Sequence, residues 1–395
     1  MKKRTIFVTG ATGYLGCHLV YELLRQGHRV FALVRDSGKG GADSVAQARV
    51  EAAVAQVNPD EAVDFSRLVA VKGNVVETAV SLIEKVRCKT AVAFDEVWHC
   101  VATFKFKESE LDEIKAINIG GVENMVNFVL GLNSTTDQPP PRYFHVSTAY
   151  SSGRNHTVIP EAITRNNKDY RTLYEWSKHQ GESLVQRYQQ EYQLDAMILR
   201  PAIIIGSEKT RVFNHSAYYQ VISALYRLCK QLATRQGSNF DGNVNMRLIG
   251  DPTAALNFVP VDYVVETMLH LGTHPDLATD KLKIFNIVNE APPTVGLVHN
   301  IFCQCLNITG LDLVPQSVFD DKPMNRLERA LARNVAFQMP YMHEEIRFST
   351  KALRQVLPHH DFPNPTIDEA FLRTINQAFF DQLEERLSKN GRSAS

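Results

Sequence analysis

The sequence predicts an α/β fold: a doubly wound parallel sheet joined to a smaller, mainly helical C-terminal region. Three observations carry that prediction. Short apolar runs alternate with helix-length segments through the first half of the chain, the order that builds a parallel sheet covered on both faces. A glycine-rich turn, Thr9-Gly10-Ala11-Thr12-Gly13-Tyr14-Leu15-Gly16, joins the first apolar run to the first helix. Beyond Gly206 the alternation weakens into aromatic and helical stretches divided by prolines.

Ile6-Phe7-Val8 is the first strand. Leu15, Leu19, Val20, Leu23 and Leu24 then form one apolar helical stripe, and Val30-Phe31-Ala32-Leu33-Val34 reads as a strand buried on both faces. Ser37-Gly38-Lys39-Gly40-Gly41 is a loop before an alanine-rich helix near 43–57. Leu68-Val69-Ala70-Val71 and Glu96-Val97-Trp98-His99 are the next strands, and 109–131 is a long helix. Pro139-Pro140-Pro141 bars any helical continuation and leads into the strand Tyr143-Phe144-His145-Val146. A helix over 172–192 and the strand Ala196-Met197-Ile198-Leu199 end the regular part. Farther on, 213–236 reads as an aromatic-studded helix, 239–245 as loop and 322–388 as mostly helix. The expected organisation is one domain over 1–206, with 257–292 returning to it, and a second region built from 207–256 and 293–395.

Length and charge narrow the function. A chain of 395 residues can bury a sizeable core, and Lys plus Arg equal Asp plus Glu at 43 each, so no basic field exists to hold nucleic acid or an anionic membrane. Small molecules or proteins are the expected partners. The basic start Met1-Lys2-Lys3-Arg4 is followed by a run too short for a signal peptide, and no apolar stretch approaches bilayer length. A soluble cytosolic protein is expected. The 6 cysteines lack metal-ligand spacing and read as reduced thiols.

The glycine turn has the chemistry of a dinucleotide site. One glycine lets the strand turn sharply, one lets backbone approach the phosphates, and Gly16 lets the helix pack closely with its N-terminus facing the anion. Gly10, Thr12, Gly13, Tyr14, Leu15 and Gly16 are therefore candidate contacts to NAD or NADP, in a Rossmann-type domain over 1–206. NAD enzymes place a carboxylate at the end of the second strand, whereas this chain has Val34 and then Arg35. A guanidinium suits a 2′-phosphate, so NADPH is the expected cofactor; Asp36 could pair with Arg35.

Tyr174-x-x-x-Lys178 puts a phenol and an ammonium one helical turn apart on one face. The lysine is expected to lower the tyrosine pKa and to reach a ribose hydroxyl. Ser147-Thr148 follows the strand ending at Val146, at the sheet edge where such folds bind ligands, and a hydroxyl there can hold the same carbonyl oxygen.

In this order the motifs resemble the extended short-chain dehydrogenase/reductase superfamily over residues 5 to about 270. The resemblance also rests on Gly73-Asn74-Val75, His99-Cys100-Val101-Ala102, Asn118 with Gly120-Gly121, Arg200-Pro201-Ala202 and Val259-Pro260-Val261-Asp262-Tyr263-Val264. The stretches VTGATGYLG, ALVRD, HVSTAYS and FVPVDYVVE look most like the NADPH-dependent thioester reductases and fatty acyl reductases, the male-sterility-type proteins. That resemblance implies a catalytic trio of Thr148, Tyr174 and Lys178 with Asn118 supporting it. Counting back from Ser152-Gly153 selects Thr148 over Ser147. It also places Asn74, Val75, Val101, Ala102, Lys178, Pro201 and Ile203 along the nucleotide. Asn74 stands where relatives have an aspartate, and the chain is shorter than fatty acyl reductases that carry a further C-terminal domain.

The implied reaction is reduction of an acyl thioester. Hydride attacks the thioester carbonyl, Thr148 and Tyr174 hold the oxyanion, and the hemithioacetal collapses to aldehyde and thiol. A second hydride would give the alcohol. The acyl group would ride on coenzyme A or a carrier protein, for which Arg227, Lys230 and Arg235 offer a basic helix face. Phe213, Tyr218, Tyr219, Leu225 and Tyr226 line either an apolar substrate site or the packing of the second, substrate-binding region. The alternatives are a nucleotide-sugar epimerase or sterol-type dehydrogenase of the same superfamily, or an NADP-binding redox sensor without turnover. Ala149-Tyr150 after the threonine counts against dehydratase chemistry, and the retained Tyr174 and Lys178 count against a sensor.

Overall fold

The computed structural model describes residues 2–36, 42–154, 156–164, 169–213, 218–274, 277, 282–335 and 339–392, so the loop expected at 37–41 lies outside the described residues. Seven strands form one sheet: β1 (Thr5–Thr9), β2 (Arg29–Val34), β3 (Leu68–Lys72), β4 (Glu96–His99), β5 (Arg142–Val146), β6 (Ala196–Pro201) and β7 (Lys283–Ile287). Their order is β7-β6-β5-β4-β1-β2-β3, with every neighbouring pair parallel. The order reverses between β1 and β4, whose ends Thr9 and His99 lie in register. Such a reversal opens a crevice at the carboxyl ends of the strands, the ligand position of open α/β sheets.

The strands form because their apolar runs are buried on both faces. Phe7, Phe31, Val97, Tyr143 and Ile198 join one core with Val122, Met125, Phe128 and Val129 of the helix Gly121–Leu132. The helix Tyr14–Arg25 buries Leu19, Val20, Leu23 and Leu24, the stripe the periodicity predicts. The long helix expected over 109–131 is broken: a short α-helix, Leu111–Ile114, leads into a π-helical turn, Lys115–Gly120, before Gly121–Leu132. A Cβ on Gly121 would stand 3.0 Å from Val75 Cγ2, so that glycine lets the helix start pack closely on the turn after β3.

The chain divides into two compact units, 1–202 with 261–288 and 348–362, and 203–260 with 289–347 and 363–395. Relative to the expected boundaries, 257–260 stays with the second unit, because Phe258–Pro260 pairs parallel with Ile203–Ile205. Residues 348–362, expected with the second region, belong to the first. Glu161 accepts hydrogen bonds from the backbone N–H groups of Ala352 and Leu353, and Tyr263 packs on Phe362 with centroids 5.2 Å apart. Partners so distant in sequence leave no local pattern.

Within the second unit the helices Tyr218–Gln236, Val295–Leu306 and Glu369–Arg392 surround a core, beside a parallel pair formed by Asn243–Ile249 and Thr309–Val314. Strand pairing thus begins inside the stretch read as loop over 239–245. Phe213, Tyr219, Leu225 and Tyr226 are buried core, and Tyr218 packs against it. Tyr219 lies 4.6 Å from Phe379, its hydroxyl accepting from Gly206 N at 2.7 Å, and Tyr226 stacks on Phe380 at 5.2 Å. Of the two readings of this aromatic run, packing is the one observed. Arg227 and Arg235 are exposed, while Lys230 pairs with Glu384 at 2.5 Å, so the expected basic face keeps two uncommitted cations at most. Among the described residues no helix is long and apolar enough to cross a membrane, and no group of His, Cys, Asp and Glu could hold a metal.

Candidate active site

The glycine turn is built as a cradle. Gly10 has φ +75°, and a Cβ there would stand 3.0 Å from the Cys100 carbonyl carbon and 3.1 Å from Val101 N. Glycine is required both for the left-handed backbone and for the approach of β1 to the segment after β4. A Cβ on Gly16 would collide with the Gly10 carbonyl, which explains the third glycine. Gly13 caps the helix Tyr14–Arg25 without any side-chain hydrogen bond, and its first turn holds no acidic residue. The positive helix end therefore faces the turn, where Thr12 and Gly13 are exposed and Tyr14 and Leu15 half-buried. These residues fit a dinucleotide pyrophosphate.

Arg35 is exposed just past β2. Asp36 pairs with Lys72 at 2.7 Å instead of folding onto Arg35. Arg49 donates to the Arg35 carbonyl at 2.5 Å, bringing a second guanidinium to this edge. Arg49 was invisible in sequence, since only the packing of the helix Asp43–Ala55 reveals its direction. Asn74 sits in a turn after β3, its N–H donating to Glu77 at 2.9 Å. Val75 and Pro201 are buried, and Ile203 packs on the second unit's core. Ala102 is half-buried in the segment leaving β4.

Tyr174 and Lys178 lie on the helix Leu173–Tyr192, whose N-terminus Thr172 caps by accepting from Glu175 N at 3.2 Å. Lys178 is 2% exposed, and its Nζ donates to the Val146 carbonyl at 2.7 Å, tying the helix to the end of β5. Thr148 follows two residues on, 7% exposed, its Oγ1 accepting from Tyr150 N at 3.4 Å. Asn118, inside the π-helical turn, donates to Ser177 Oγ at 2.9 Å and to the Thr103 carbonyl at 3.1 Å, and accepts from Thr103 N at 2.8 Å. Ser177 Oγ in turn donates to the Tyr174 carbonyl at 2.8 Å. Asn118 thus clamps the segment after β4 to the helix that carries Tyr174. π-Bulges often mark such functional positions.

A buried ion pair supports the same helix. Arg200 Nε and Nη2 donate to Glu182 at 2.8 and 2.6 Å, and Ser151 Oγ donates to Glu182 Oε1 at 2.8 Å. Glu182 escaped the sequence reading, although its place one turn beyond Lys178 was available as a signal.

Burial raises the Tyr174 phenol above its ordinary value. The expected lowering by Lys178 is absent, because that ammonium is directed at the Val146 carbonyl. Burial also lowers Lys178 from 10.5 to about 8, with Glu182 opposing the shift. His99 and His145 lie on β4 and β5 with stacked rings 5.7 Å apart. Burial first and Lys178 second hold both far below the usual imidazole range, hence neutral. The arrangement offers a protonated phenol one helical turn from a buried ammonium, suited to donating to a carbonyl oxygen as negative charge develops on it.

Known proteins share this framework. The chain is 25% identical over 272 residues to the L-2-aminoadipate reductase large subunit of Eremothecium gossypii, covering 66% of this chain and 18% of that one. It is 25% identical over 301 residues to fatty acyl-CoA reductase 1 of Mus musculus, covering 67% of this chain and 54% of that one. The chain therefore spans about half or less of the length of these relatives. The terminal R domain of the myxalamid PKS-NRPS pathway superposes with TM-score 0.72 at 20% identity, over 98% of this chain and 92% of that one. The UDP-glucuronic acid 4-epimerase of Bacillus cereus in complex with NAD superposes with TM-score 0.61 at 14% identity, over 95% and 99%. Turn, sheet and likeness together assign a pyridine nucleotide as cofactor. The male sterility protein family model matches residues 8–268, and the chain belongs to that family.

Proposed function

We propose that the chain reduces an acyl thioester to an aldehyde with NADPH. The observation that carries this reading is geometric: the half-buried Tyr174 phenol stands one helical turn before the buried Lys178, whose Nζ is tied to the end of β5 at the Val146 carbonyl. When bound, the reduced nicotinamide supplies the hydride for the thioester carbonyl carbon. Tyr174 and Thr148 donate hydrogen bonds to the carbonyl oxygen, and the Lys178 ammonium favours the negative charge that develops there. Asn118 keeps the segment after β4 in place through Thr103. The resulting hemithioacetal loses its thiol, breaking the C–S bond and leaving the aldehyde; the scattered cysteines have no part in it. Arg35 and Arg49 supply the charge for a 2′-phosphate, which supports NADPH over NADH.

The family and the reductase relatives support a thioester, whether carried by coenzyme A or by a carrier protein. A second reading, a nucleotide-sugar epimerase, draws support from the epimerase fold likeness, but the cationic end of β2 favours the reductase. The deciding experiment incubates the protein with NADPH and a panel of acyl-CoA and acyl-carrier thioesters, following NADPH loss and trapping carbonyl product. Aldehyde or alcohol is expected; tight retention of NAD with no NADPH consumption would overturn the reading.

A further inference from the structure

Phe104 is 57% exposed, yet its ring stacks on Tyr174 with centroids 5.1 Å apart and planes 25° apart. Phe106 meets the same ring at 6.0 Å and 57°. What sets Phe104 apart from the other exposed apolar side chains is its position, stacked directly on the candidate proton donor.

The segment holding both rings is secured on either side. Thr103 is bonded in both directions to Asn118, at 2.8 and 3.1 Å. Glu110 accepts from Phe106 N at 3.4 Å and Lys107 N at 3.3 Å, and Lys105 pairs with Glu113 at 2.6 Å. Phe104 is thus presented from an anchored segment, and an anchored surface loses little freedom on binding.

We propose that Phe104, backed by Phe106, is the platform for the acyl chain beside the reacting carbonyl and sets the preference for apolar acyl groups. The inference rests on the thioester reductase reading. A carbonyl oxygen held by Tyr174 brings its two substituents close to the Phe104 ring. One is the acyl chain; the other is the sulfur arm, whose amides lose hydrogen bonds against an aromatic face. Methylene groups lose nothing there and leave water, so the acyl side takes the platform.

The test measures KM and kcat of wild type, Phe104→Ala and Phe104→Leu with straight-chain acyl-CoA substrates from butanoyl to hexadecanoyl. Phe104→Ala is expected to raise KM for the long chains about tenfold, with little change for butanoyl. Phe104→Leu should recover most of the loss. A drop in kcat of equal size at every chain length would overturn the proposal, leaving Phe104 only steadying Tyr174; so would unchanged kinetics. NADPH titration and thermal melting check that the variants fold. Calorimetric binding of non-reducible acyl-CoA thioethers repeats the comparison without turnover. Wild type that binds them more tightly with chain length, yet reduces no thioester, would refute the reductase reading while retaining the platform. Binding indifferent to chain length in wild type would refute the platform alone.

Discussion

The chain carries Tyr-x-x-x-Lys twice on helices, at Tyr174/Lys178 in the first unit and at Tyr226/Lys230 in the second. Spacing puts each pair on one helix face. In the first pair the lysine is buried and reaches a strand-end carbonyl, and among the described residues no carboxylate bonds the phenol. In the second, Glu384 accepts from the Tyr226 hydroxyl at 2.6 Å and pairs with an exposed Lys230, whose Nζ lies 5.5 Å from the Tyr226 ring centroid. The same four-residue interval yields a candidate catalytic pair where it faces the carboxyl edge of a parallel sheet, and a packing and surface pair where it faces another helix.

The sharpest way to break this contrast is to remove each phenol oxygen. Tyr174→Phe should lower thioester reduction about 10²–10⁴-fold while NADPH binding, read by fluorescence titration, persists. Tyr226→Phe should leave turnover within about twofold and cost about 1 kcal/mol of stability in denaturant melts. Equal effects on turnover would erase the distinction.

The acids behind the two lysines give the next test. Glu182→Gln leaves Arg200 charged and buried, and should destabilise by about 3–5 kcal/mol. Glu384→Gln strips a surface pair and should cost under about 1 kcal/mol. Urea midpoints compare them.

Lys178 adds a pH signature of its own. Its folded pKa, about 8, lies below 10.5, so the unfolded chain binds the extra proton between those values and stability from this group rises with pH across that window. Below about 8 the buried charge is a constant penalty. The melting-temperature gap between Lys178→Met and wild type should therefore shift in favour of wild type from about pH 8 upward, while turnover falls as the ammonium is lost.

The smallest expected effect concerns cofactor choice. Arg35→Ala should raise the NADPH KM about tenfold and leave the NADH KM unchanged, whereas Arg227→Ala, an exposed arginine of the second unit, should alter neither. An unmoved NADPH KM in Arg35→Ala would detach the 2′-phosphate from this strand end.

Much of the first unit was legible because its signals are local. Strands β1 to β6 are apolar runs, the first helix shows a 3.6-residue stripe, and Gly10 and Gly16 meet steric demands within a single turn. The return of 348–362 to the first unit was not legible, nor were the π-helical turn at Asn118, the Asp36–Lys72 pair or the stacking of Phe104 on Tyr174. Each depends on partners many residues away.

By itself, then, the sequence determined the parallel sheet, the glycine cradle and the helical spacing of Tyr174 and Lys178, since periodicity and backbone sterics act over a few residues. Only the tertiary structure decided that Lys178 is buried and lowered, that Tyr174 is raised rather than lowered, and that the aromatic run from Phe213 to Tyr226 is core. Burial and hydrogen-bond partners fix the charge state of a side chain, and both are properties of the assembled fold.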